Sequence, residues 1–310
     1  MVLSAPRLKR KRVIKVSLDA TKGATDTVPS QAILVYDLDI QPTAPFAQRR
    51  GTGLYRGQMN PGVVEEMSGT WTFTAELLGT GAGGLELGLA ILLQACGFKQ
   101  TLEVYSVHSG VADDKTISMA GWVDGKKKSL TGASGTVKFS TQPGKRMLLN
   151  FEFSGIWQDP IDEALPAYAP SAALPIFAKG GTFTLGGESI KFTDFELDMG
   201  CAVVMRGDPD AATGIGYYHI VDYETKLNMT VESDLVAGYD FYGIWKAGTP
   251  AEVSYALTDG TDIFTFALPA VQYSQIAGVD VDGVEGERLT AEVLHSTGDD
   301  SVALTVTAPV

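Results

Sequence analysis

Residues 71–107 read WTFTAELLGTGAGGLELGLAILLQACGFKQTLEVYSV. Trp71, Phe73, Ala75 and Leu77 alternate with Thr72, Thr74 and Glu76, the period of two that marks a strand with one covered face. Gly79-Thr80-Gly81-Ala82-Gly83-Gly84 interrupts the pattern. Leu85, Leu89, Leu92, Leu93 and Cys96 then recur at helical spacing, and Gly97 stops the helix because glycine takes a left-handed conformation without steric cost. Leu102, Val104 and Ser106 open another alternation. The unit reads strand, glycine-rich turn, helix, turn, strand.

Outside it the signals are those of strands. Val13–Leu18 and Ala32–Ile40 alternate, and Ile117–Trp122 and Lys128–Leu130 flank the hairpin signal Asp124-Gly125. Thr136–Ser140 and Met147–Gly155 flank Gln142-Pro143-Gly144-Lys145. Between Gln41 and Gly69 the pattern fails. Pro42, Pro45, Pro61 and several glycines punctuate a segment that carries Arg49, Arg50, Tyr55 and Arg56. A stretch this long without regular structure is usually functional or disordered, and a hairpin arm projecting from the body fits it. Pro160, Pro166, Pro170 and Pro175 stiffen residues 158–175 into a linker.

Features of the first half recur after that linker in the same order. Asp37-Leu38-Asp39-Ile40 is echoed by Glu196-Leu197-Asp198-Met199, Arg50-Gly51 by Arg206-Gly207, and Trp71–Glu76 by Leu227–Glu232. The helix Leu85–Cys96 before Gly97 is echoed by Leu235–Ala247 before Gly248, and Glu103-Val104-Tyr105 loosely by Glu252, Val253 and Tyr255. The closing hairpin is echoed by Leu289–Leu294 and Val302–Thr307. The expected organisation is a basic arm (1–12), a first β domain (13–157, with the arm loop 41–69), the linker (158–175) and a second β domain (176–310). The expected fold is mainly β, two tandem domains with one packed helix each. Such helices are too short to stand alone and must pack on their sheets.

Charge is uneven. Residues 1–165 carry 18 Lys and Arg against 16 Asp and Glu, whereas residues 166–310 carry 6 against 21. Arg7, Lys9, Arg10, Lys11 and Arg12 concentrate positive charge in the terminal arm. This arm reads as a solvated terminus, as a segment docking on an acidic neighbouring subunit or, less readily, as a nucleic-acid arm without interleaved aromatics. The acidic body repels nucleic acid at neutral pH. The longest apolar run, Leu85–Cys96, is about half the ~20 residues that span a bilayer. No apolar segment of a signal peptide follows the basic terminus, and two cysteines make no disulfide framework; the expectation is folding in a cytoplasm.

No motif in the chain argues for catalysis. Gly79–Gly84 matches G-x-G-x-x-G between a strand and a helix, with Glu103 about 20 residues on. The preceding strand alternates, however, whereas the first strand of a dinucleotide fold is buried on both faces. The second copy has Ser233-Asp234 at the corresponding turn. His108, His219 and His295 lack partners at ligand spacing. Cys96 reads as a core residue, and Cys201 has no C-x-x-C partner. Asp208-Pro209-Asp210 and Asp280-Val281-Asp282-Gly283 lack the remaining ligands of a calcium loop and read as turns. Lys126-Lys127-Lys128 reads as a solvated edge that discourages stray pairing. The expectation is a non-enzyme with no cofactor and no metal site.

Leu92-Leu93-Gln94-Ala95-Cys96-Gly97-Phe98, Leu130-Thr131-Gly132-Ala133-Ser134-Gly135-Thr136-Val137 and Asn150-Phe151-Glu152-Phe153-Ser154-Gly155-Ile156-Trp157 resemble stretches of the major tail tube proteins of long-tailed, non-contractile (siphovirus-type) bacteriophages. The segment ending Leu174-Pro175 and the run Leu197-Asp198-Met199-Gly200 continue the resemblance over roughly residues 30–210. It implies two sheets packed as a sandwich or barrel with a helix alongside, and inner sheets of neighbouring subunits joined around a lumen. It implies homotrimeric, pseudo-sixfold rings stacked helically along a tape-measure protein. Tail terminator and baseplate proteins would sit at the ends, and genomic DNA would transit without sequence-specific binding. The implied location is the virion tail, assembled in the host cytoplasm and without membrane insertion. Expected contacts between subunits or rings are Arg7, Lys9, Arg10, Lys11, Arg12, Arg49, Arg50, Tyr55 and Arg56, with carboxylates of inner strands facing the lumen. The competing readings are another tail or virion β-protein (terminator, baseplate hub, decoration protein) and a carbohydrate-binding β-sandwich. The last would need an aromatic platform, whereas Trp71, Trp122, Trp157 and Trp245 are dispersed and Trp71 and Trp245 fall on expected core faces.

Overall fold

Alternating apolar and polar residues become strands throughout this chain. A computed structural model describes residues 8, 10–24, 29–51, 60–168, 171 and 173–308. The first half forms β1 (Arg12–Leu18), β2 (Gln31–Ile33), β3 (Tyr36–Thr43), β4 (Phe46–Ala47), β5 (Val63–Val64), β6 (Ser68–Glu76), α1 (Leu87–Ala95), β7 (Phe98–Thr101), β8 (Val104–Val107), β9 (Ile117–Val123), β10 (Lys126–Thr141) and β11 (Leu148–Asp162). The second forms β12 (Thr182–Leu185), β13 (Phe192–Asp198), β14 (Cys201–Gly207), β15 (Ile215–Tyr223), β16 (Lys226–Glu232), α2 (Phe241–Ala247), β17 (Ala251–Thr258), β18 (Ile263–Val281), β19 (Val284–Leu294) and β20 (Ala303–Thr307). The protein is mainly β.

Pairing is antiparallel and follows one order twice. In the first half it runs β1-β9-β10-β11-β6-β3. In the second it runs β12-β17-β18-β19-β16-β13. A smaller hairpin projects between the equivalent strands of each half: β4–β5 between β3 and β6, and β14–β15 between β13 and β16. The halves are stitched together by β10 pairing with β13, and by β20 pairing with both β18 and β8. One apolar cluster runs through both halves, and Phe139 meets Phe266 edge to face at 5.3 Å between ring centres. Large aromatics of this kind dominate core burial.

The glycine-rich turn has a structural task. The amides of Gly81 and Gly83 donate to Oδ2 and Oδ1 of Asp262, each at 2.7 Å. Both glycines have positive φ (77° and 81°), which aims their N–H groups inward and forms a small anion-binding concavity. Its occupant is a fully buried carboxylate from the turn between β17 and β18, so a G-x-G-x-x-G pattern here holds the second half of the chain against the first.

Several boundaries differ from the sequence expectation. The strand expected over Ala32–Ile40 is two strands, separated at Leu34-Val35. Lys128–Leu130 and Thr136–Ser140 belong to the single strand β10, which bulges between Thr131 and Ser134 with Gly132 at φ 56°. Residues 158–162, expected to open the linker, continue β11, with Gln158 opposite Ser129 and Asp162 opposite Lys126. Leu102 is an exposed turn residue at φ 56°. The closing hairpin of the second half is β18–β19, and β20 pairs with the first residues of β18 on the same edge as β19, with β17 on the other edge. Val253 and Tyr255 lie in β17, between β12 and β18, whereas Val104 and Tyr105 lie in β8 beside β20.

The two helices also differ. In α1 seven of nine residues are buried, under β1 and β2 among others, and the Glu86 side chain caps it by accepting from Leu89 N at 3.1 Å. The second helix is shorter than expected: Leu235–Tyr239 form a turn, Asp240 caps α2, and Gly248 ends it at φ 66°. Only Phe241 of α2 is buried, and Trp245, expected in the core, is 41% exposed.

Replacing Asp262 with Ala removes two charge-assisted hydrogen bonds from the glycine turn. The expected cost is about 2–3 kcal/mol, read as a lowered urea midpoint, with Asp262→Asn in between.

Candidate assembly surface

Strands β3-β6-β11-β10-β13-β16-β19-β18 form a continuous eight-stranded stretch of sheet crossing both halves. Because side chains alternate across a sheet, one face carries Trp71, Phe73, Phe151, Phe153, Phe139, Leu197, Met229 and Leu289 into the core. The opposite face is polar and partly or fully exposed. Asp39, Thr72, Glu152 and Thr136 form one row across the first half; Ser140, Glu196, Asn228, Thr290 and Gln275 form another from β10 to β18. Its acidic members include Asp39, Glu152, Asp194, Glu196, Asp198, Glu232 and Glu292, against Lys138, Lys226 and Arg288. The balance is negative.

At the centre lies the β10–β13 joint, with Lys138 opposite Asp198, Phe139 opposite Leu197 and Ser140 opposite Glu196. Lys138 Nζ is 3.1 Å from Asp198 and 3.4 Å from Glu196, and Asn228 donates to Glu196 at 3.2 Å. Partial burial opposes the charge on Lys138, but Asp198 and then Glu196 outweigh it and hold its pKa above the ordinary lysine value.

The sheet does not close. Among the described residues β3 has a neighbouring strand on one side only, β6. Beyond Tyr273, β18 also has one neighbour, β19. Exposed edges of this kind are ordinarily an aggregation hazard.

The expected contact residues fall in different surroundings. Arg7, Lys9, Tyr55 and Arg56 lie outside the described residues. Arg10 is exposed. Lys11 is 3.8 Å from Asp124, whose amide donates to the Lys11 carbonyl at 2.8 Å. Arg12 opens β1 opposite Val123 and donates to the Leu38 carbonyl at 2.8 Å. The base of the basic arm is thus tied to its own chain. Arg49 and Arg50 are exposed beyond β4. Sequence reasoning did not single out β18 or the partner edge of β3 as surfaces. The available signal was the exposed end of β18, where Gln275-Ile276-Ala277-Gly278 breaks the strong alternation of Ile263–Tyr273.

Other chemically suggestive residues are dispersed through the fold. His108 is buried with Nε2 3.8 Å from Asp114, His219 lies in β15, and Nδ1 of the exposed His295 is 2.7 Å from the Gly298 carbonyl oxygen. Among the described residues no group of three His, Cys, Asp or Glu is arranged to hold a metal. Cys201 Sγ donates to the Cys96 carbonyl at 3.4 Å. Burial pushes the Cys201 thiol up to about 12 and the Cys96 thiol well above its ordinary value. Trp71, Trp122 and Trp157 are buried, so they offer no exposed aromatic platform.

The chain matches no protein-family model and no curated protein sequence.

Lys138→Ala is expected to cost about 0.5–1 kcal/mol at neutral pH, the range of a partly exposed ion pair. Because the folded-state pKa is raised, the contribution is full below the ordinary lysine value. It is lost as pH rises through the folded value, so the gap between wild-type and variant urea midpoints closes in alkali. Both native thiols are expected to be silent to Ellman's reagent in the folded protein and to react once it is unfolded, since thiolate and access are both required.

Proposed function

We propose that this chain is a structural subunit that polymerises with copies of itself into stacked rings, forming a hollow tail tube of the siphovirus type. The observation that carries the reading is the eight-stranded sheet with one open strand edge at each end and an acidic polar face. An edge that invites uncontrolled pairing in a monomer becomes a joint in a polymer. If the polar face lines the lumen, its carboxylates repel phosphate and leave no counterions to release, so DNA slides past without adhering.

In this reading three chains close a pseudo-sixfold ring, each chain supplying two similar units. Rings stack on a tape-measure protein that occupies the lumen during assembly. Terminator and baseplate proteins close the ends, and genomic DNA later passes through. The work is mechanical, with no catalytic step and no cofactor, and its location is the virion tail after assembly in the host cytoplasm.

Negative-stain electron microscopy of the purified protein, with mass analysis of the smallest assembly, tests this. Hollow tubes or stacked rings with a trimeric repeat are the expected result. Discrete closed oligomers that never stack would favour a terminator, hub or decoration protein. Monodisperse monomers at high concentration across a range of salt would overturn the reading.

A further inference from the structure

We propose that the joint inside the chain is the template for the joint between chains: β3 of one copy pairs with the distal edge of β18 of another, in the register that β13 adopts on β10. This rests on the reading that the chain polymerises with itself, and it specifies the surface that does so.

The register follows from the pairing. Thr72 lies between Asp39 and Glu152, and Glu152 faces Thr136; Asn228 lies between Glu196 and Thr290, and Thr290 faces Gln275. Aligning Thr72 with Asn228 superposes Asp39 on Glu196 and Thr136 on Gln275. Two residues further along, Lys138 corresponds to Ala277 and Asp198 to Gln41. Within the chain Lys138 faces Asp198. Between chains Ala277 therefore faces Gln41, and Gly278 faces Ile40. The β10–β13 edge is occupied within the chain, whereas among the described residues its counterparts, the distal part of β18 and β3, each have a single neighbouring strand.

Two further surfaces fit the same docking. Where β13 joins β10, the β14–β15 hairpin folds over the first half: Ser134 Oγ donates to the Tyr218 carbonyl at 2.9 Å, and Ile156 packs with Ile215 and Tyr218. Among the described residues the equivalent hairpin β4–β5 covers no such surface, and Phe46, Val63 and Val64 are 59%, 51% and 48% exposed. At the same joint the turn that ends α1 is closed by the second half, with Gly97 tight against the Tyr223 ring. The counterpart α2 leaves Tyr242 and Trp245 exposed. Docking of a second copy brings β4–β5 over the back of β18–β19 and the base of that hairpin towards the end of α2, so apolar surface exposed in the single chain becomes covered. The Lys138–Asp198 ion pair has no counterpart in the Ala277–Gln41 row, so backbone hydrogen bonds and the apolar hairpin hold the joint between chains.

The test is oxidative cross-linking of the full chain carrying Gln41→Cys and Ala277→Cys, both at exposed positions, with the buried native thiols as silent background. A disulfide needs Cα atoms about 4.4–6.8 Å apart. The control Gln41→Cys with Val281→Cys moves the second thiol four residues along the strand, about 13 Å at the usual strand rise. The expected result is a ladder of covalent multimers ending at ring size for the first pair, with at least tenfold less for the control and for each single variant. In parallel, the unsubstituted protein is expected to gain amide-exchange protection in β3 and in residues 275–279 on assembly. Rings or tubes that form without this ladder and this protection overturn the proposed joint and leave the polymer reading standing. A ladder of equal yield from both pairs also overturns the joint. If neither variants nor unsubstituted protein assemble at any concentration, both fall.

Discussion

The antiparallel joint between β10 and β13 carries the architecture. Without it the molecule would be two separate sheets, each with edges to protect; with it eight strands become one surface. Backbone hydrogen bonds fix the direction of pairing, and the alternation of side chains fixes the register. A slip of β13 by one residue would send Leu197 to the polar face and Asp198 into the core. Lys138 then reads both Glu196 and Asp198 across the seam. The ion pair adds little stability by itself, as partly exposed pairs do, but it matches charge to register.

The second tie between the halves is chemically different. Asp262 inserts a carboxylate between two backbone amides of a glycine turn, and Phe139 and Phe266 close the core nearby. The glycine turn looks in sequence like a phosphate cradle because the requirement is the same: consecutive N–H groups aimed at one negative charge. What differs is the source of the charge. Here the anion is already part of the chain and is fully buried.

The two halves follow one pairing order but not one pattern of burial. Within the chain Ile215 and Tyr218 of the β14–β15 hairpin and seven residues of α1 are buried, although Val204 and Val221 of the hairpin stay exposed; in β4–β5 Phe46, Val63 and Val64 are exposed, and of α2 only Phe241 is buried. Under the proposed joint between copies, β4–β5 and α2 are the surfaces that a neighbouring copy would cover.

The sequence by itself determined several strands of the first half, the Asp124-Gly125 turn and the first helix, because each depends on local periodicity and local backbone preference; β12, β14, β15 and β18 were not read from it. Trp71–Glu76, Asp124-Gly125 and the helix expected over Leu85–Cys96 (observed over Leu87–Ala95) were legible from their neighbours in the chain, although the helix also needs its packing to persist. The acidic balance of the second half was also legible. The tertiary structure alone decided which strand lies beside which. It merged Lys128–Leu130 with Thr136–Ser140 across a bulge, made β18 rather than β20 the partner of β19, and left Trp245 in solvent. Local periodicity gives the faces of a strand but not its neighbours. Pairing between residues such as Lys138 and Asp198, or contact between Gly81 and Asp262, depends on the path of the whole chain, and on that path depend the open edges of β3 and β18.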